Sequence, residues 1–105
     1  MAPVAPLGRN RAIELVKQGN LPLRFGSPHP TMAIVEQDGV FRIRQLVIDE
    51  AEARAARERS LASGGSWMPE HHYALGKPTG KIHAEAWSRE ELIEKMETMN
   101  WPRDW

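Results

Sequence analysis

Two hydrophobic periods alternate along this chain, and the switches between them mark out its elements. From Arg9 the period is helical. Ala12, Ile13, Leu15 and Val16 share one arc of a helical wheel, and Gly19-Asn20 supplies a stop. The stretch LPLRFGSPHP at 21–30 then carries three prolines and reads as an extended or turned connector, because proline disfavours helix at itself and at the preceding residue. Next come two β-rich runs, TMAIVEQ and VFRIRQLVI, flanking Asp38-Gly39. Both turn residues tolerate the positive φ of a type I′ turn, so the spacing predicts a hairpin. In that register Ile34 faces Ile43, Glu36 faces Phe41 and Val35 faces Arg42, which gives one apolar face and one mixed face.

The helical period returns after Asp49, an N-cap with Glu52 at the third helical position. The expected inward stripe of this helix is Ala51, Ala55 and Ala62. Glu50–Arg54 and Arg54–Glu58 lie at the stabilising four-residue spacing on the other side. Ser63-Gly64-Gly65-Ser66 reads as a loose linker at 63–66. Residues 70–87, EHHYALGKPTGKIHAEAW, predict a second hairpin around the loop GKPTG. The box Ser88-Arg89-Glu90-Glu91 opens a last helix with Leu92, Ile93, Met96 and Met99 on its apolar face, and Pro102 ends it. The order is α-ββ-α-ββ-α. It describes a small single α+β domain over 9–105, with antiparallel hairpins and helices packed on one face. A flexible arm over residues 1–8, with Pro3 and Pro6, precedes it.

Composition narrows the function. A chain of 105 residues builds one core with little surplus stability. The absence of cysteine removes disulfides, thiolate zinc sites and cysteine nucleophiles, and fits a reducing compartment. Fourteen Lys and Arg balance fourteen Asp and Glu, without the basic face a nucleic-acid binder needs. The start MAPVAPLG has neither a basic n-region nor an apolar h-region, and no apolar run is long enough to span a membrane, so a cytoplasmic location is expected.

Three chemistries can be weighed. A phosphate loop fails, because Gly76-Lys77-Pro78-Thr79-Gly80-Lys81-Ile82 is one residue short of G-x-x-x-x-G-K-[ST] and puts Ile82 where the magnesium-holding hydroxyl belongs. A metal site is more specific. If GKPTG is a whole hairpin loop, Tyr73 faces His83 and His71 faces Glu85, which places His71, His83 and Glu85 on one side. Two imidazoles and a carboxylate suit zinc or iron(II). That set depends wholly on the register, and a one-residue slip substitutes His72 for His71. The His83–Glu85 H-x-E also lacks the P-C-x-x-C of the zinc deaminases. Serine catalysis has no support, since Ser63, Ser66 and Ser88 all sit in linker or cap contexts.

The third chemistry is binding. The tail NWPRDW places Trp101 and Trp105 beside Arg103, and Trp67 follows the glycine linker. Tryptophan and arginine are common interface anchors, although Trp101 can instead fold back to close the core. The leading reading is a non-catalytic protein-interaction module: an accessory subunit or inhibitor, of bacterial or phage type, that binds another protein through Trp101, Arg103, Trp105, Trp67 and the outer hairpin face. The alternatives are a small metal-dependent enzyme using His71, His83 and Glu85, and a homo-oligomeric structural protein.

Overall fold

The turn at Asp38-Gly39 organises the sheet. In the computed structural model, which describes residues 5–105, these two residues have φ of 54° and 78°, the pair of positive values that the hairpin requires. The strands they join, β2 (Met32–Gln37) and β3 (Val40–Gln45), pair in the expected register, with Ile34 opposite Ile43, Val35 opposite Arg42 and Glu36 opposite Phe41. Helix α1 (Arg9–Lys17) comes before them. It ends where Gly19, at φ 77°, lets the amides of Gly19 and Asn20 reach the carbonyls of Val16 and Leu15.

The structure adds one strand and removes another. The proline-rich connector contains a strand, β1 (Leu23–Phe25), which pairs with β2 through Leu23–Ile34 and Phe25–Met32. Three residues between prolines are too few to give a period, and β1 exists because β2 offers it an edge. Conversely, the first arm of the expected second hairpin is a helix. After α2 (Glu50–Ala62), the segment Pro69–Tyr73 forms α3, with proline at its first position and the Met68 amide bonded to His71 Nδ1 at 2.9 Å. EHHYAL has no β-branched residue to resist this local capping.

The second arm, β4 (Ile82–Ala86), pairs with β3 instead, through Phe41–Ala86, Arg42–Glu85 and Ile43–Ala84. Arg44 then faces Ile82, so His83 is an extra residue in a β-bulge. The result is one antiparallel sheet in the order β1-β2-β3-β4, followed by α4 (Arg89–Thr98). The domain is α+β, as expected, with α1 and α4 on one sheet face. Ala12, Val16, Leu92 and Met96 meet Phe25, Met32, Ile34, Ile43 and Ala86 there.

The crossover over 46–81 contains α2 and α3. Asp49 caps α2 by accepting from the amides of Ala51 and Glu52. The residues 63–66 form a defined helix stop rather than a loose linker. Gly64 has φ 83°, and the amides of Gly64 and Gly65 bond to the carbonyls of Leu61 and Ser60. The inner face of α2 is centred on Ala53, not on Ala51, Ala55 and Ala62, and its one ion pair among the described residues is Glu52–Lys77 at 3.0 Å. The helix stands away from the sheet, so the chain measures 47 × 31 × 22 Å. Its radius of gyration is 15.3 Å, against about 13 Å for a compact chain of this length.

Arg44 brings the crossover back to the sheet. Its guanidinium donates to the carbonyls of Thr79 (2.9 Å) and Gly80 (3.0 and 3.1 Å) and to Gln37 Oε1 (3.0 Å). Gln37 in turn donates to the Pro78 carbonyl at 3.0 Å. Gly80 lies so close to β3 that a Cβ there would come within 2.8 Å of the Gln45 carbonyl oxygen. GKPTG is therefore a segment laid along the sheet and not the tip of a hairpin.

Arg44→Ala is expected to lower unfolding free energy by about 2–3 kcal/mol, because it leaves several carbonyl bonds to a charged donor unmade. Lys77→Ala should change it by no more than about 0.5 kcal/mol, since its ion pair is exposed. Urea denaturation of both variants checks this.

Candidate functional site

Trp105 is a core residue, and Trp101 packs against the core partly buried. Trp105 is only 7% exposed. Trp101 stacks on Phe25 at 5.4 Å, and Trp105 meets both rings edge-on at 5.1 and 5.7 Å. Backbone bonds hold the tail in place, from the Leu7 amide to the Trp105 carbonyl (2.7 Å) and from the Ser27 amide to the Asp104 carbonyl (2.8 Å). Leu7 thus packs on the core, while residues 1–4 of the expected N-terminal arm lie outside the described residues. Arg9 Nη2 donates to the Met99 carbonyl, whereas Arg9 Nε and Trp101 Nε1 are buried donors with no acceptor among the described residues. Arg103 is exposed and makes no ion pair or hydrogen bond there.

The expected metal residues are not brought together. His71 lies on α3, turned to its own N-terminus through the Met68 amide. Glu85, on β4, makes an ion pair with Arg42 at 2.8 Å. His83 meets the Trp105 ring edge-on at 5.1 Å. Its place in the bulge explains this contact, since a bulge re-aims the side chain it carries. The pairing of Tyr73 with His83 does not form, and Tyr73 stacks on His29 at 4.4 Å instead. The described residues contain no group of three His, Asp or Glu side chains placed to hold one metal ion. Burial against Trp105, and then the nearby Lys81, hold the His83 pKa below its ordinary 6.5.

Trp67 lies half-buried against α2. It lines a 260 Å³ cleft with Ala53, Arg54, Arg57 and His72, and its ring meets that of His71 at 5.6 Å. The most exposed tryptophan is Trp87, on the outer face that alternation along residues 83–87 predicts. Trp87 is 76% exposed at the junction of β4 and α4. Its amide donates to Glu91 Oε2 at 3.4 Å, and Ser88 beside it caps α4 by accepting from the Glu91 amide at 3.1 Å.

The same end of the sheet carries a trough of about 540 Å³, within the range of binding sites. It wraps the edge of β2. Leu21, Phe41 and Arg89 line the helix-covered side, and Arg24, Ala33, Val35, Leu46 and Pro78 line the other. Arg89 makes no hydrogen bond or ion pair among the described residues, and Arg24 makes one long bond, to the Ala74 carbonyl at 3.5 Å. An apolar floor between two available guanidinium groups suits a segment that is partly apolar and partly anionic.

Trp105→Ala is expected to cost about 3 kcal/mol or more of stability, as for other large aromatic truncations in a core. The lowered pKa of His83 means that the folded chain binds fewer protons than the unfolded one. Stability should therefore be full above pH 6.5 and fall as pH drops below it, towards the depressed pKa. His83→Phe keeps a ring against Trp105 and should flatten that part of the curve. Melting temperature between pH 7.5 and pH 5 reads both effects.

Comparisons with protein-family models, curated proteins and solved structures find no match for this chain.

Proposed function

We propose that this protein is a non-catalytic protein-interaction module, an accessory subunit or inhibitor that binds another protein through the end of the sheet that carries Trp87, Arg89 and the trough. The observation that supports this reading is the exposure of Trp87. A side chain of this size, 76% exposed on a strand–helix junction, forgoes a large area of burial and contributes no packing to the fold. Its backbone is fixed by the α4 cap, so the part of the ordering cost that falls on the backbone is already met before docking. Trp101 and Trp105 contribute through the core and not as anchors, and Trp67 is engaged with α2.

The test is native mass spectrometry of the protein isolated from its own host, in parallel with Trp87→Ala. The expected result is a hetero-complex with the natural chain and at least a tenfold lower complexed fraction with the variant. The melting temperatures of the two should agree within about 2 °C. A monomer alone, or a complex indifferent to Trp87→Ala, would overturn the proposal.

A further inference from the structure

β2 is six residues long, but β1 covers only half of it. Pairing stops at Leu23–Ile34, so residues 35–37 have no strand beside them on that side. The turn fixes which groups this leaves free. A two-residue turn is closed by the hydrogen-bonded pair Gln37–Val40, and the alternation running back from it points the N–H and C=O of Glu36 away from β3. Among the described residues the chain's own approach makes no bond to either group. Pro22 has no N–H, and the Leu21 amide is bonded to the Gly19 carbonyl at 2.9 Å.

The trough encloses this bare edge, with Val35, Leu46 and Pro78 on one side and Leu21 and Phe41 on the other. We propose that the edge takes an extended segment of a partner protein as an added strand, in line with β1 and antiparallel to β2. This inference rests on the interaction-module reading and names the chemistry of its partner. The residue opposite Glu36 is cationic, because like charges directly opposite destabilise a pair of strands. Its two neighbours are apolar and lie on the Val35 and Pro78 side.

The probe is the peptide acetyl-Thr-Val-Lys-Val-amide, titrated into the full chain and followed by ¹H–¹⁵N NMR. Expected are shifts concentrated at the amides of residues 35–37, with slowed exchange of the Glu36 amide. N-methylation of the peptide lysine, which removes the donor facing Glu36, should weaken binding about tenfold. The peptide acetyl-Thr-Val-Glu-Val-amide, which puts a carboxylate opposite Glu36, should bind at least about threefold more weakly. Glu36→Pro removes the outward amide of an edge position and should weaken binding about tenfold. If that variant does not fold, the N-methylated peptide decides the matter with the natural chain.

Shifts centred elsewhere, indifference to N-methylation, or no shift at about 5 mM peptide would overturn the proposal. So would concentration-dependent shifts at residues 35–37 without peptide, which would make a second copy of this chain the occupant. A Trp87-dependent complex that persists while the peptide fails would sink the added strand alone and leave the interaction module standing.

Discussion

Arg44 decides how the two halves of this chain meet. The β2–β3 hairpin forms from its own turn, but β4 lies beyond a crossover whose helices barely touch the sheet. Backbone bonds of Gln45 and Val47 with Lys77, Gly80 and Lys81 return the chain to β3, and with them one guanidinium donates to the carbonyls of Thr79 and Gly80, with Gln37 holding the carbonyl of Pro78 beside them. Those of the guanidinium are charge-assisted bonds to backbone groups that would otherwise be left against the sheet with their hydrogen bonds unmade. The same clamp makes Pro78 one wall of the trough, so the candidate site shares its anchor with the fold.

A second constraint closes the other face. A chain of 105 residues has little apolar area to spare, and this one takes some of it from its last five residues. Phe25, Trp101 and Trp105 form one aromatic group, and the backbone of the tail is bonded to both Leu7 and Ser27. The arrangement ties together the N-terminal segment, the connector around β1 and the end of the chain. It also sorts the tryptophans by role, since two stabilise the core, one packs on α2, and Trp87 is left facing solvent.

Legibility followed the range of the interactions. The Asp38-Gly39 hairpin, the Asp49 and Ser88 caps, and the stop after α1 were all readable, because each is a bond between residues a few positions apart. β1 was not, because three residues carry no period and owe their conformation to β2. The polar, aromatic start of the stretch 70–87 fits a hairpin arm by composition, but Pro69 at the first helical position and the His71 cap make residues 69–73 a helix. The metal set of His71, His83 and Glu85 was a consequence of that hairpin, and it separated when the helix formed and the bulge turned His83 towards Trp105. The trough had no signal at all in the sequence. It arises from a length mismatch between β1 and β2 and from the path of a distant loop.

The sequence by itself determined an α+β domain, its principal hairpin and register, its helix caps, and a neutral surface without cysteine chemistry. All of these are set by local sterics and by composition. Only the tertiary structure decided which strand β4 would join, which tryptophan would remain outside, and where an edge would be left open. Those outcomes depend on competition between distant segments for the same sheet edge and the same apolar face, and no local pattern records which of them prevails.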